Sequence, residues 1–277
     1  MSRLRQAARK RLDRPRGRLL LGAAASLWYS AKRRQPCVIS WREGAWVHRY
    51  RDAAIPHERL GDAPPPAEFT AEARDIFLYG YEPGEGDIVF DVGAGVGAET
   101  LLFSRLVGAS GRVVALEAHP GTFDRLALLC RLNGLANVVA LQAAAVDVDG
   151  QLSISDADEH VANTILDVGD GGIAIPARRL DGVATELGIT RVDLLKMNIE
   201  GAERDALLGM QELIERTRHV CISCHDFLAE RGGPERLRTK AFVRDFLLEH
   251  GFSLTSRDDA PDPWTRDYLY GVNNRLA

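Results

Sequence analysis

The chain contains the stretch Val89-Phe90-Asp91-Val92-Gly93-Ala94-Gly95-Val96-Gly97-Ala98, an apolar strand pattern that runs into three alternate glycines and then a helix pattern. Glycine lets the backbone turn tightly and approach a ligand closely, and a helix N-terminus offers free N–H groups. An acidic residue, Glu117, ends the next predicted strand. In nucleotide-binding βαβ units a carboxylate at that position accepts hydrogen bonds from ribose hydroxyls. The stretch therefore predicts a site for a nucleoside-containing ligand.

Two such ligands fit this outline. The spacing Gly93-x-Gly95-x-x-Ala98 matches the dinucleotide fingerprint, which favours NAD. Asp91, however, precedes the first glycine by two residues, and a carboxylate there would repel a pyrophosphate. S-adenosylmethionine has no phosphate and carries a cationic amino group and a sulfonium, so an acidic rim favours it. We therefore predict a methyl-donor site, with an NAD-linked oxidoreductase and a non-catalytic nucleotide-binding partner protein as alternatives.

The pattern around the glycine stretch alternates between strand and helix. Strands that are apolar throughout and separated by helices indicate an α/β fold with a parallel, doubly wound sheet. The predicted helices are 69–81, 98–107, 120–132, 180–187, 200–216 and 234–250. The predicted strands are 87–92, 112–117, 138–142, 192–197, 220–224, 252–255 and 268–271, with short strands inside an irregular segment, 143–176.

Further motifs flank the glycine stretch. Residues 77–83 read Phe-Leu-Tyr-Gly-Tyr-Glu-Pro, residues 179–181 read Arg-Leu-Asp, and residues 192–203 read Val-Asp-Leu-Leu-Lys-Met-Asn-Ile-Glu-Gly-Ala-Glu. Over roughly residues 70–225 the chain resembles the FkbM family of S-adenosylmethionine-dependent methyltransferases. The resemblance implies a class I methyltransferase fold, with a Rossmann-like, mostly parallel, seven-stranded sheet. It also implies O-methylation of a hydroxyl on a sugar, glycolipid or secondary metabolite. Many relatives carry Asp where this chain has Asn198, which weakens any role that needs a charge there.

The chain divides by composition into an N-terminal extension, 1–66, with a hairpin pattern in 36–55, and a methyltransferase domain, 67–277. Residues 1–35 hold eleven Arg and Lys and one acid, a net +10, whereas the remainder holds 24 basic and 38 acidic residues, a net −14. The acidic body does not indicate a nucleic-acid binder. The basic segment is consistent with a plain basic helix, with a secretory signal, or with peripheral contact to an anionic membrane by a cytoplasmic protein.

We expect the methyl donor to contact the glycine loop and the ends of the first, second and fourth strands of the domain. The predicted donor-binding residues are Asp91, Gly93, Ala94, Gly95, Gly97, Glu99, Thr100, Glu117, Ala118 and Asn198. His119, beside Glu117, is expected either to cover the adenine or to cap a helix.

The predicted catalytic residues are His225, Glu200 and Asp226, which follow the fourth and fifth strands. Histidine is the usual general base near neutral pH, and a carboxylate from Glu200 or Asp226 would orient it. Asn198, Glu200 and Asp226 could instead hold Mg²⁺, an alternative that we do not favour. The fourth-strand motif lacks the prolines and aromatic residue of amino-group methyltransferases, so we expect a small-molecule alcohol as acceptor.

The pattern Cys221-x-x-Cys224-His225 matches a haem-attachment motif. It continues a predicted strand, however, and strand residues three apart face opposite sides of the sheet. We therefore predict no haem and neither a disulfide nor a dithiol pair here, and we expect Cys37 and Cys130 to be ordinary buried thiols.

Overall fold

The computed structural model describes residues 14–61, 64–154 and 173–276. Its centre is a seven-stranded sheet with the order β12-β13-β11-β10-β4-β5-β6. All neighbouring strands are parallel except β13, which runs antiparallel between β11 and β12. The strands are β4 (Ile88–Val92), β5 (Arg112–Glu117), β6 (Val138–Gln142), β10 (Val192–Met197), β11 (Thr217–Ser223), β12 (Phe252–Ser256) and β13 (Tyr268–Asn273). This confirms the predicted mostly parallel, seven-stranded, doubly wound sheet.

Helices cover both faces of the sheet, which is why its inner strands are apolar throughout. One core lies between the sheet and the later helices, and a second packs Phe103 of the helix after the glycine loop against Val89 and Leu194. The helices of this part of the chain are α2 (Pro66–Ile76), α3 (Ala98–Val107), α4 (Pro120–Asn133), α5 (Leu180–Glu186), α6 (Glu203–Leu208), α7 (Asp226–Glu230) and α8 (Lys240–Glu249).

Three predicted helices have other bounds than expected. The helix predicted over 69–81 spans Pro66–Ile76 instead. The helix predicted over 200–216 begins at Glu203, because Glu200 and Gly201 adopt left-handed backbone with φ of 55° and 96°. It ends at Leu208, and a 3₁₀ turn, Ile214–Arg216, follows. The helix predicted over 234–250 begins at Lys240, after a 3₁₀ turn at Glu235–Leu237. The first difference places loop backbone, rather than helix, directly after the carboxyl end of β10.

The N-terminal part of the chain forms a helix and a small antiparallel sheet. The helix is α1 (Pro15–Arg33), and the sheet joins β1 (Val38–Arg42), β2 (Ala45–Arg49) and β3 (Ala54–His57). The predicted hairpin is present, and the sequence interpretation missed its third strand. The Asn133 side chain bonds both the N–H and the C=O of Ala54, so this sheet is fastened to α4. The first thirteen residues of the basic segment lie outside the described residues.

A second small sheet has the order β7-β9-β8. It consists of β7 (Ala144–Ala145), β8 (Gly150–Ile154) and β9 (Ile173–Arg178). It accounts for the described part of the segment predicted to be irregular; residues 155–172 are outside the description. In the described ranges of the chain, no helix combines the length and apolar content that a membrane span requires.

Candidate active site

The glycine loop leaves β4 at the edge of the sheet where the parallel strands end. Gly93 and Gly97 have φ of 74° and 93°. A Cβ on Gly93 would lie 2.0 Å from the Asn198 carbonyl oxygen, and one on Gly97 would lie 2.6 Å from Leu126. A Cβ on Gly95, by contrast, would meet nothing within 4 Å. The two outer glycines are therefore required by packing, and the middle one faces open space.

A buried ion pair between β10 and β4 holds this loop in place. The Lys196 ammonium lies 2.8 Å from Asp91 Oδ1 and donates a 2.7 Å hydrogen bond to the Gly93 carbonyl. The Thr100 hydroxyl donates to the second Asp91 oxygen at 2.6 Å. Burial opposes the charge on Lys196, but Asp91 and Glu99 outweigh it and raise the lysine pKa. Lys196 was missed at the sequence level, although a lysine inside an otherwise apolar strand signals a buried partner.

A cavity of about 370 Å³ opens at this edge of the sheet. That volume lies within the usual range for small-molecule sites. Eight predicted site residues line it: Gly93, Ala94, Gly95, Glu99, Glu117, Ala118, Asn198 and Glu200. Five others are not on its wall: Asp91, Gly97, Thr100, His225 and Asp226. Asp91, Thr100 and Gly97 instead support the loop that forms the wall.

Glu117 holds two segments of the wall together. Its carboxylate accepts hydrogen bonds from the N–H groups of Gly95 and His119, each at 2.9 Å. Burial raises the pKa of Glu117, and the two backbone donors offset part of that rise. Each carboxylate oxygen has a second lone pair, so the group can still accept bonds from ribose hydroxyls. His119 caps α4 by accepting from the Thr122 N–H at 3.4 Å, and it also lines the cavity.

Asn198 supplies a polar atom on the wall that no protein group satisfies. Its side-chain oxygen is buried without a hydrogen-bond partner among the described residues. Buried acceptors of this kind are normally bonded, so an unsatisfied one beside a cavity indicates a ligand donor. The amino group of S-adenosylmethionine is such a donor, and the residues present therefore fit the predicted methyl donor.

A histidine between two glutamates lies next to the cavity. His225 Nδ1 is 2.8 Å from Glu203 Oε1, and His225 Nε2 is 3.6 Å from Glu200 Oε1. Glu203 is fully buried, and it also accepts bonds from the Gly201 N–H and the Thr239 hydroxyl. It was missed as a site residue, although it ends the fourth-strand motif. The carboxylate hydrogen-bonded to His225 is thus Glu203, which was not predicted. Of the two carboxylates predicted to orient His225, Glu200 lies 3.6 Å from Nε2, and Asp226 bonds the start of α8 instead.

These contacts shift the pKa values of His225 and Glu200. Burial lowers the pKa of His225, but the hydrogen bond and charge of Glu203, followed by the charge of Glu200, raise it above its usual value. Burial raises the pKa of Glu200, and His225 offsets part of that rise. Of the two, only Glu200 is on the cavity wall, so it can meet a substrate directly.

Asp226 has a structural role that the sequence interpretation did not foresee. Its Oδ1 accepts bonds from the backbone N–H groups of Thr239 and Lys240, at 2.8 and 2.9 Å, at the start of α8. Within the described ranges no cluster of three or more His, Cys, Asp or Glu side chains could hold a metal ion. Cys221 and Cys224 are unpaired and belong to cores on opposite faces of the sheet, as the strand pattern predicted.

Comparison with known proteins finds relatives that match this chain over part or most of its length. The AMB antimetabolite synthetase AmbE of Pseudomonas aeruginosa is 40% identical over 84 residues, which are 30% of this chain and 4% of AmbE. The 31-O-demethyl-FK506 methyltransferase FkbM of Streptomyces tacrolimicus is 27% identical over 241 residues, covering 75% of this chain and 88% of that protein.

A solved structure of the methyltransferase FkbM from Methylobacillus flagellatus KT is 17% identical, with a TM-score of 0.49; the match covers 73% of this chain and 50% of that one. The family model described as the Methyltransferase FkbM domain matches residues 91–254, more than half of the chain. That match sets the NAD alternative aside. The chain belongs to the FkbM methyltransferase family and is an S-adenosylmethionine-dependent methyltransferase.

Proposed function

We propose that this enzyme methylates a hydroxyl oxygen of a small acceptor: a sugar, a glycolipid or a secondary metabolite. The observation that carries the proposal is the Glu200 carboxylate, which lies on the cavity wall 3.6 Å from Nε2 of the buried His225. A hydroxyl must lose its proton as its oxygen becomes alkylated, so it needs a base at the site. The relative from Streptomyces tacrolimicus, named for methylation at an oxygen, supports the same acceptor type.

The donor would be held by the wall residues already described. Glu117 would accept bonds from the ribose hydroxyls, and the unsatisfied Asn198 oxygen would accept from the amino group. The open space at Gly95 gives the donor close access to the backbone. When bound, S-adenosylmethionine supplies an electrophilic methyl group. The protein's part is to hold the acceptor oxygen in line with that group and to remove the hydroxyl proton.

We assign the proton to Glu200 and a positioning role to His225, in place of the general-base role that the sequence suggested for the histidine, because Glu200 and not His225 lines the cavity. Glu200 faces the cavity, and its raised pKa makes it a stronger base than an exposed glutamate. His225 is 5% exposed, and its Nδ1 is fixed by Glu203, so Nε2 has one orientation relative to Glu200. The imidazole therefore holds the Glu200 carboxylate in place while that carboxylate accepts the hydroxyl proton and becomes neutral.

Substitution of Glu200 tests the base directly. Glu200→Gln keeps the side-chain shape and should lower kcat by about 10²–10⁴-fold. Affinity for S-adenosylhomocysteine, measured by calorimetry, should stay unchanged. The activity of the wild type should also stay unchanged when excess EDTA is added. Glu249→Gln, at an exposed glutamate of α8, is the matched control and should change neither quantity. A normal kcat in Glu200→Gln contradicts the assignment, and loss of activity in EDTA favours the metal alternative.

The positioning role of His225 is tested by the pH dependence of kcat. Because His225 lowers the pKa of Glu200, His225→Gln should move the acidic limb of the profile to higher pH. A purely structural histidine would lower the amount of folded enzyme and leave the limb in place. An unchanged limb with an unchanged rate therefore contradicts the positioning role.

The acceptor type is tested by product analysis. The enzyme is incubated with methyl-labelled donor and a panel of sugars, glycolipids and polyketides, each matched to an amine analogue. We expect the label on oxygen, located by NMR. Label on nitrogen contradicts the proposal. Tight donor binding with no transfer to any member of the panel contradicts the proposed acceptor types.

We also propose that the enzyme works in the cytoplasm and touches a membrane through residues 1–35. The described cysteines, Cys37, Cys130, Cys221 and Cys224, are all unpaired, which suits a reducing compartment. The net charge of +10 on residues 1–35 suits an anionic surface. Salt should therefore release the protein from anionic vesicles, and failure to bind them at low salt contradicts the contact.

A further inference from the structure

Helix α1 presents large apolar side chains to solvent. Leu19, Leu20, Leu27 and Trp28 are 74%, 71%, 77% and 52% exposed. Leu20 and Leu27 are seven residues apart, and seven residues make about two turns, so they lie in line on one side of the helix. We call the surface formed by these four side chains and the exposed alanines between them, Ala23 and Ala24, the outer face of α1.

The opposite side of α1 is fixed to β1, so the outer face cannot turn inward. A Cβ on Gly22 would lie 2.7 Å from the Ile39 carbonyl oxygen, which shows how closely the two backbones approach. The Ser26 hydroxyl accepts the Ile39 N–H at 2.8 Å, and the Ser30 hydroxyl accepts the Cys37 N–H at 2.9 Å. These bonds set the rotation of the helix about its axis.

Cations stand at both ends of the outer face. Arg14 and Arg16 are exposed at its N-terminal end, and Lys32 and Arg34 are exposed at its C-terminal end. The range 14–34 contains six basic residues and no acid. Leu20 to Leu27 span about 10 Å along the axis, since each residue rises about 1.5 Å. An apolar band bordered by cations matches the layering of a bilayer surface, in which acyl chains lie beneath anionic phosphates.

We infer that the outer face of α1 inserts into the interface of a membrane that contains anionic lipid. The leucines and Trp28 enter the acyl boundary, and the flanking arginines and lysine contact headgroup phosphates. The inference rests on the proposed membrane contact of residues 1–35 and goes beyond it, because a purely electrostatic contact needs no apolar insertion. Lipid is favoured over a protein partner because the cations occur at both ends and no acid interrupts the segment.

The test is flotation of the full-length protein with vesicles of phosphatidylcholine alone or with about one third phosphatidylglycerol. The wild type should float with the mixed vesicles at low salt. The double variant Leu20→Gln/Leu27→Gln should bind at least about tenfold more weakly, since burial of a single leucine is worth about 1.5–3 kcal/mol and about 1.4 kcal/mol is tenfold. Leu248→Gln, at a 51% exposed leucine of α8, is the matched control and should bind normally.

Tryptophan emission reports insertion of the outer face of α1 into the bilayer separately from electrostatic binding to the vesicle surface. Emission of the wild type should shift to shorter wavelength on mixed vesicles, and Trp28→Phe should lose most of that shift while still floating. Affinity for S-adenosylhomocysteine should be equal in all variants, so a defect in the methyl-transfer site cannot be mistaken for a defect in insertion.

The outcomes separate the two membrane proposals. Salt-sensitive flotation that ignores the leucine substitutions and gives no Trp28 shift overturns insertion and leaves the electrostatic contact intact. If the protein does not float with the mixed vesicles at low salt, both the insertion and the electrostatic contact are contradicted. Absence of flotation together with a dimer, detected by sedimentation, that Leu20→Gln/Leu27→Gln abolishes would assign the outer face to contact between two copies of the chain.

Discussion

Removal of the buried cation beneath the glycine loop should destabilise the protein strongly. Lys196 and Asp91 are 2% and 0% exposed and 2.8 Å apart. Lys196→Met keeps the length of the side chain and leaves Asp91 as a buried carboxylate whose remaining described side-chain bond is from Thr100. Breaking a buried pair by removing one partner costs about 3–5 kcal/mol. We therefore expect the free energy of unfolding to fall by about that amount.

The assay is urea denaturation, combined with calorimetry of S-adenosylhomocysteine binding. The double variant Lys196→Met/Asp91→Asn removes both charges and should recover much of the lost stability. It should not recover donor affinity, because the Gly93 carbonyl still lacks the hydrogen bond that Lys196 donates. Lys240→Met is the matched control. Its ammonium also joins a carboxylate to a backbone carbonyl, with Asp258 3.5 Å away and a 2.7 Å hydrogen bond to Arg266, but Asp258 is 71% exposed, and ion pairs at the surface are worth about 0–1 kcal/mol.

Two results would refute this reasoning. The first is a loss below about 1 kcal/mol in Lys196→Met, equal to that of the surface control. The second is additivity, in which Asp91→Asn lowers the stability of Lys196→Met further instead of restoring it. Additive effects would mean that the two side chains are not coupled and that the glycine loop is held by other contacts.

Three further predictions concern donor binding and stability. Glu117→Ala should weaken S-adenosylhomocysteine binding in calorimetry by roughly 1.5–3 kcal/mol, the range for a hydrogen bond to a charged group; unchanged binding would exclude Glu117 from the donor site. Gly93→Ala should abolish donor binding or folding, because its Cβ would collide with the Asn198 carbonyl oxygen, and a stable, binding-competent variant would disprove the collision. Burial lowers the pKa of His48 to about 4 and of His57 to about 3, below the usual 6.5. The unfolded chain therefore binds more protons than the folded one, and thermal stability should be full above pH 6.5 and decline towards pH 4, less steeply in His48→Gln.

The fold could be predicted because its signals are local. Short runs of four to six residues, mostly apolar and bounded by glycine or by helix patterns, identified all seven strands of the central sheet. The helix errors at 200–216 and 234–250 have a physical cause: left-handed backbone at Glu200 and Gly201, and the docking of Thr239 and Lys240 on Asp226, are tertiary features. Periodicity alone does not report them, since a polar or small residue fits a helix pattern equally well.

The site was only partly predictable, because some of its residues meet through contacts between distant parts of the chain. The glycine loop and Glu117 are close in sequence and carry their own pattern, so both were placed at the cavity in advance. Glu203 was not, because its role depends on His225, 22 residues away along the chain. Asp226 was the nearer carboxylate in sequence, and the structure uses it to start α8 instead. Proximity along the chain is thus a poor guide to which carboxylate orients a histidine.

Two arrays of side chains behind the cavity, one centred on Lys196 and one on His225, have the same arrangement. Lys196 joins Asp91 to the Gly93 carbonyl, and His225 joins Glu203 to Glu200. In each array one nitrogen-bearing side chain lies between a buried carboxylate and an oxygen of a residue on the cavity wall. Groups fixed in this way in a site of low dielectric need no rearrangement when charge moves in the reaction. The sheet achieves this because β10 lies between β4 and β11, so side chains at the ends of three neighbouring strands meet beneath one cavity. The loss of either array should therefore impair the wall it supports without altering the other.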